Sequence, residues 1–318
     1  MRYVDLGKTG LRVSEIAFGG VEIGMPYGIG IRSEADMLQE KEAVHLLNRS
    51  LDEGINFFDT ARMYGDSERL MGIAFASKRE QVLISSKCRH FRDQQGNLPA
   101  CGQVAQIINQ SVEESLRALR TDYLDLYMLH QADLEILKHE EVVDAFLALK
   151  FAGKVRSIGA STYTLAESTE AVESGVWEVV QLPFNLLDQR QAAVFDGAVE
   201  RGVGLVIRSV LLKGLLSERG KCLPEPLEQI ERHIEKLADL AGSLGLDLPT
   251  LAIRFALSFD AVSSVLVGID QDSYLLHAAE AARKSQLEEE VFNTAKRLVY
   301  PDPAFINLPH WDKMGWLT

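Results

Sequence analysis

The stretch NFFDTARMYGDSERLMG, residues 56 to 72, places an aspartate, Asp59, and a tyrosine, Tyr64, around one turn. Two later segments add a cation and an imidazole: ISSK ends at Lys87, and DLYMLH ends at His130. All four residues fall at or just past the C-terminal end of an apolar, strand-like run, where the loops of an α/β barrel build active sites. Together they suit proton chemistry on a carbonyl. A tyrosine, with a pKa of about 10, is a poor donor at neutral pH unless a cation stabilises its phenolate. Lys87 is placed to supply that charge. An ammonium in a dry pocket needs a close anion to offset its desolvation, and Asp59 is the candidate. A neutral His130 can donate from one ring nitrogen to a carbonyl oxygen and orient it against Tyr64. The four lack a source of electrons, so a reduction requires a hydride donor bound separately.

Taken singly, each residue also has a structural reading. Asp59 before Thr60 suits a turn or helix cap, Tyr64 a surface aromatic, Lys87 a solvated strand end and His130 a satisfied core histidine. Four coincident strand-end positions favour a site. A competing chemistry uses His130 and Asp59 as metal ligands or Lys87 as a Schiff-base amine. No second histidine stands at ligand spacing, so no metal is expected.

The elements that must position these residues are legible as alternating short β-rich runs and longer amphipathic segments, the signal of successive parallel βα units. Eight strands are read: EIAFGG from Glu15, NFFD from Asn56, VLISSK from Val82, LDLYMLH from Leu124, VRSIGAS from Val155, EVVQLP from Glu178, GLVIRS from Gly204 and SVLVG from Ser264. Between them, EKEAVHLLNRSLDEG aligns Ala43, Leu46, Leu47 and Leu51 and stops at Gly54, while QVAQIINQSVEESLRALR aligns Val104, Ile107, Ile108, Val112 and Leu116. The opening YVDLGKTGLRV reads as two short strands around a Gly7 to Gly10 turn, suited to plug the N-terminal mouth of a barrel. Segments 22 to 40, 88 to 103 and 299 to 318 are long and irregular, and the first two fall on the catalytic face. The tail carries Phe305, Trp311 and Trp316, either to close over a pocket or to anchor on the barrel's outside. YGIGIRSE lacks the third glycine and preceding strand of a dinucleotide fingerprint, and reads as a flexible loop.

A chain of 318 residues with 47% hydrophobic content can bury one large core, so residues 1–318 are expected to form a single domain. A net charge of −13 opposes nucleic-acid binding, which depends on clustered Lys and Arg, and directs attention to a small-molecule partner. MRYVDLGKTG has no apolar signal region, and no run approaches the roughly 18 apolar residues of a membrane span, so a cytoplasmic chain without a membrane partner is expected. Cys88, Cys101 and Cys222 form no ligand cluster and suit a reducing compartment. No heptad run marks an interface, leaving monomer or homo-oligomer open.

From LGKTGLRVSEIAFGG to about residue 285 the chain resembles the aldo-keto reductase superfamily. The motifs that carry the resemblance are GINFFDTARMYGDSE, the lysine of ISSK, RTDYLDLYMLHQAD, GKVRSIGAS, VVQLPFN and GLL near residue 214. It implies a (β/α)8 TIM barrel that binds NADP or NAD in an extended pose, with Asp59, Tyr64, Lys87 and His130 as the catalytic tetrad and Tyr64 as proton donor. It further implies that Ser161 and Gln181 hold the nicotinamide carboxamide and that Ser209 to Leu215, including Leu211 and Lys213, line the pyrophosphate. The chain departs from the family pattern in three places. Ser-Asn after the fifth strand is Ser161-Thr162, and the nicotinamide-stacking tyrosine after the seventh is replaced at Arg208, which can stack or reach the pyrophosphate. Where many relatives carry cations for a 2′-phosphate and then Glu-Asn for adenine, this chain has Gly268, Ile269, Asp270, Tyr274, His277 and Ala278. An aspartate near the ribose favours a free 2′-hydroxyl, which Lys213 or Arg208 would offset, so both NAD and NADP stay open.

The implied activity is interconversion of a carbonyl and an alcohol, with oxidation of a sugar at its anomeric carbon as one form. Tyr27, His90, Arg92 and Gln131 in the open loops suit a polar, hydroxylated substrate, or are solvated surface residues. A regulatory subunit that binds the cofactor and signals its redox state with little turnover is the alternative from another class.

Overall fold

The computed structural model describes residues 1–31, 33–100, 102–283 and 286–317. Two short strands, β1 (Tyr3–Asp5) and β2 (Arg12–Ser14), pair antiparallel across the Gly7 to Gly10 turn. Eight further strands follow: β3 (Ile16–Gly19), β4 (Phe57–Asp59), β5 (Leu83–Lys87), β6 (Leu124–Leu129), β7 (Val155–Ser161), β8 (Val179–Pro183), β9 (Gly204–Arg208) and β10 (Val262–Gly268). They close into a parallel barrel in the order β10-β3-β4-β5-β6-β7-β8-β9, with helices between successive strands. All eight expected strands are present. Their ends differ from the sequence reading by a residue or two, as at β10, which begins at Val262 rather than Ser264.

Side-chain alternation along each strand decides what reaches the barrel interior. Phe57, Leu126, Met128, Val179 and Val206 pack inside it with Ala17, whereas Phe58, Ile84, Tyr127 and Leu129 pack against the helices. Extended by two residues, the same alternation turns Asp59, Lys87 and His130 inward at the C-terminal mouth. The other mouth is filled by the hairpin, whose Leu6, Leu11 and Val13 are buried in the interior cluster. Gly7 fits there because a Cβ would lie 2.4 Å from the Gly204 nitrogen.

The outer helices follow their apolar faces. Glu40–Asp52 buries Ala43, Leu46 and Leu47 and is followed by Gly54 at a φ of +92°, the left-handed conformation a glycine allows. Gln103–Leu119 buries Val104, Ile108, Val112 and Leu116, with Ile107 half-buried at the edge of the face. Among the described residues no single helix is long and apolar enough to cross a membrane.

Two of the three long segments, 22–40 and 299–318, are more ordered than their sequence suggests. Segment 22–40 holds most of the short helix Val21–Gly24 and a 3-10 turn at Glu34–Asp36, and the Ile29 amide donates to the Lys213 carbonyl at 3.0 Å. The tail forms a 3-10 turn at Pro303–Phe305 and a helix at Leu308–Lys313, with Trp311 fully buried against Phe305. It is anchored by its aromatics, while Asp312 pairs with Lys213 at the barrel mouth. Cys88 is buried and Cys222 exposed, both as free thiols, and Cys101 lies outside the described residues.

Because Leu6 plugs the interior, Leu6→Ala is expected to lower the unfolding free energy by about 2–5 kcal/mol, the cost of a core leucine deletion. Urea denaturation checks this. A loss under about 1 kcal/mol would show that the hairpin adds little to the barrel.

Candidate active site

Lys87 is fully buried at the end of β5, and its ammonium has three donors to satisfy. Nζ donates to Asp59 Oδ2 at 2.5 Å, to the Thr60 carbonyl at 3.0 Å and to the Tyr64 hydroxyl at 3.4 Å. Burial pulls the lysine pKa down, and the Asp59 carboxylate acts against it. The other Asp59 oxygen accepts from Ser85 Oγ at 3.1 Å and Gln181 Nε2 at 3.0 Å. Tyr64 follows β4 on the turn that begins the helix Ser67–Ala74. That turn is held by the Asp66 amide on the Gly24 carbonyl, and a Cβ on Gly24 would come within 2.0 Å of the Tyr64 carbonyl oxygen.

His130 is buried, with its ring edge-on to Tyr64 at 5.4 Å and to His90 at 4.8 Å between centroids. Burial first, then the Lys87 charge, hold its pKa well below the usual histidine range, so the ring is neutral at pH 7. The Tyr64 phenol departs from the expectation that Lys87 would make it more acidic. Burial first, and the nearby Asp59 charge second, push its pKa up. Tyr64 is therefore a protonated phenol, the form that donates to an alkoxide.

Asp59, Tyr64 and His130 line one cavity with Ser161, Gln181, Arg208, the loop 209–214, and Gly268, Asp270 and Tyr274. Ser161 and Gln181 are ladder partners at the ends of β7 and β8, with Ser161 Oγ 3.4 Å from Gln181 Oε1. Thr162 turns away to Ser168 at 2.7 Å, and its carbonyl accepts from Arg208 at 2.8 Å. In the loop that contains Leu211, three non-glycine residues, Ser209, Leu212 and Lys213, adopt positive φ (59°, 48° and 58°). Left-handed non-glycine residues clustered in one loop are characteristic of ligand clamps. At Gly268 the Glu22 carboxyl packs so close that a Cβ would lie 2.0 Å from Oε1, and any side chain there would displace it.

Several cavity charges expected to be free are paired. Asp270 accepts from Arg219 at 2.9 Å, and that guanidinium lies over the Tyr274 ring, so Asp270 does not present a bare charge to a ribose. Lys213 pairs with Asp312 and lies over the Tyr27 ring. Arg92, in the loop after β5, pairs with Asp133 at 2.8 and 2.9 Å and with Glu135 at 2.6 Å. His277 faces Asp247 at 3.9 Å. His90 stands beside His130, Gln131 keeps an unpartnered buried Oε1, and Tyr27 lines the cavity.

Glu22 and Arg219 are cavity residues that the sequence reading missed. Glu22 sits in what reads as a featureless loop, and Arg219 follows the GLL motif without a signal of its own. The Glu22 carboxyl packs against Gly268 with Oε2 unpartnered, and burial pushes its pKa up to about 8. Among the described residues no three His, Cys, Asp or Glu side chains converge as metal ligands.

Residues 15–299 match the Aldo/keto reductase family, and the chain belongs to it. The family comprises oxidoreductases of the carbonyl and alcohol type that use nicotinamide cofactors and act on small molecules. Among its relatives, L-galactose dehydrogenase of Arabidopsis thaliana is 27% identical over 93% of both chains. L-glyceraldehyde 3-phosphate reductase of Escherichia coli is 26% identical over 92% of this chain and 87% of the relative. The holo form of an aldo-keto reductase from Bacillus halodurans superposes with a TM-score of 0.79 at 26% identity, covering 95% of this chain and 99% of that one.

The raised Glu22 carboxyl makes stability depend on pH. An unfolded glutamate ionises near about 4.3, whereas Glu22 in the fold keeps its proton to about 8. The native state then binds more protons across that window, and stability falls as pH rises through it. Glu22→Gln is expected to melt progressively later than the wild type as pH is raised from 5 to 9. A melting difference that does not change with pH would show that Glu22 ionises normally.

Proposed function

We propose that residues 1–318 form one barrel domain that interconverts a carbonyl, in an aldehyde, ketone or sugar, with its alcohol by hydride transfer, using Tyr64 as general acid and base. One observation carries this reading: a fully buried lysine divides its three donors between Asp59, the Thr60 carbonyl and the Tyr64 hydroxyl, and Asp59 and Tyr64 line a cavity. A nicotinamide dinucleotide, when bound, supplies or accepts the hydride.

The neutral His130 ring donates to the substrate oxygen and turns it toward Tyr64. In reduction, the Tyr64 hydroxyl protonates the oxygen as negative charge develops on it. Lys87 then stabilises the tyrosinate, and Asp59 keeps the lysine charged and aimed. In oxidation the tyrosinate accepts the hydroxyl proton.

The cavity fits the cofactor's parts. Ser161 and Gln181 offer a hydroxyl and an amide to a carboxamide. The left-handed run at Ser209, Leu212 and Lys213 lets backbone approach a pyrophosphate. Gly268, Asp270 and Tyr274 line the same cavity. With Asp270 held by Arg219, the cavity accommodates either NAD or NADP. Oxidation of a sugar hemiacetal is supported by the likeness to L-galactose dehydrogenase and by His90 and Gln131 beside the tetrad.

Tyr64→Phe should lower kcat by about 10²–10⁴-fold while leaving the cofactor Kd unchanged. Steady-state turnover with aldehydes, ketones and aldoses, beside a tryptophan-fluorescence titration with NADH and NADPH, checks both halves. Turnover undiminished in Tyr64→Phe would remove Tyr64 from the chemistry, and tight cofactor binding without turnover in the wild type would instead indicate a regulatory subunit.

A further inference from the structure

Three cations line the cavity: Arg208, Lys213 and Arg219. Lys213 is paired with Asp312, and Arg219 with Asp270. Among the described residues Arg208 has no carboxylate at ion-pair distance, and neutral groups fix it instead. Its guanidinium donates to the Thr162 carbonyl at 2.8 Å and to Ser209 Oγ at 3.3 Å, and lies 4.3 Å from the centroid of the Tyr163 ring. These contacts hold the group in place and leave its charge uncompensated on the cavity wall.

The nearby acids do not cancel that charge. Asp59 is engaged by Lys87, Asp270 is engaged by Arg219, and Glu22 keeps its proton to about pH 8 because it is buried. Arg208 lines the same cavity as Asp59, Tyr64 and His130.

The consequence rests on the proposed hydride transfer. A hydride donor must bring its reacting carbon within about 3–3.5 Å of a carbonyl carbon held by Tyr64 and His130. The nicotinamide ring therefore works at the end of the cavity that Arg208 lines. That ring is neutral when reduced and carries one positive charge when oxidised. The Lys87–Asp59 pair contributes a cation and an anion together, which leaves Arg208 as the arginine of this cavity, among the described residues, without a carboxylate partner, while Asp247 faces His277 at 3.9 Å and Glu218 pairs with Lys221.

We propose that Arg208 discriminates between the redox states of the cofactor: its fixed charge disfavours the cationic oxidised ring, so the protein holds NADH or NADPH more tightly than NAD or NADP in their oxidised forms. Two like unit charges a few ångströms apart in a protein interact strongly enough to change an equilibrium by tenfold or more. The bias speeds loss of oxidised cofactor after carbonyl reduction and slows loss of reduced cofactor after alcohol oxidation.

The test is the ratio of dissociation constants, oxidised over reduced, measured by tryptophan fluorescence for whichever cofactor pair binds. In the wild type the ratio should be about tenfold or more. Arg208→Leu should reduce it by about tenfold, Arg208→Lys should retain most of it, and Arg208→Gln serves in place of the leucine variant if that one does not fold. A wild-type ratio near one overturns the proposal, as does an equal weakening of both forms in the neutral variant, which would make Arg208 a phosphate contact. If folded wild-type protein binds neither form of either cofactor, the oxidoreductase reading itself fails, and the inference with it.

Discussion

The ion pair between Lys87 and Asp59 is the constraint from which the site is built. A lysine at zero exposure is tolerable only if its charge is offset and all three of its donors are used, and Asp59, Thr60 and Tyr64 meet both conditions. Meeting them fixes more than the lysine. Asp59 also receives Ser85 and Gln181, so one carboxylate ties β4 to its neighbour β5 and, across the barrel mouth, to β8. The hydroxyl that completes the lysine's coordination is the one that faces the cavity. A packing requirement and a chemical one are met by the same atoms.

Around this centre, charges on separate loops hold one another. Arg219 to Asp270 joins the loop after β9 to the end of β10, Lys213 to Asp312 joins it to the tail, and the Ile29 amide joins it to the loop after β3. The two ion pairs are partly exposed, and pairs of that kind stabilise the fold only modestly. Their effect is positional. They gather the walls of the cavity around the loop that holds the left-handed Ser209, Leu212 and Lys213. Glu22 against Gly268 completes the wall where β3 meets β10, at the expense of a carboxyl that keeps its proton past neutrality.

Membership of the Aldo/keto reductase family determines the type of reaction far more closely than the substrate, because specificity lies in loops grafted onto a common barrel. The two named relatives illustrate this: one is a sugar dehydrogenase, the other a phosphorylated-aldehyde reductase, at nearly equal identity to this chain. The distinguishing features here, among the described residues, are the paired charges that line the cavity and an arginine there, Arg208, without a carboxylate partner.

The barrel was legible because parallel strands buried on both faces must be short, continuously apolar runs, and eight of them stand between amphipathic segments. The positions of Asp59, Lys87 and His130 followed from the same physics, since period-two alternation in FFD, LISSK and LDLYMLH fixes which side chains turn inward at the strand ends. What the sequence could not determine was which loop charges would meet. Arg219 and Asp270 are 51 residues apart, and Lys213 and Asp312 are 99 apart, so both pairings depend on how loops fold back over a completed barrel. The same holds for the acidities. Glu22 and Tyr64 are ordinary ionisable residues in the sequence, and only the burial imposed by the assembled barrel, together with the nearness of Asp59, raises their pKa values. Local periodicity set the scaffold and its inward-facing residues, whereas the electrostatics of the cavity arose from long-range contacts that exist only once the chain has closed on itself.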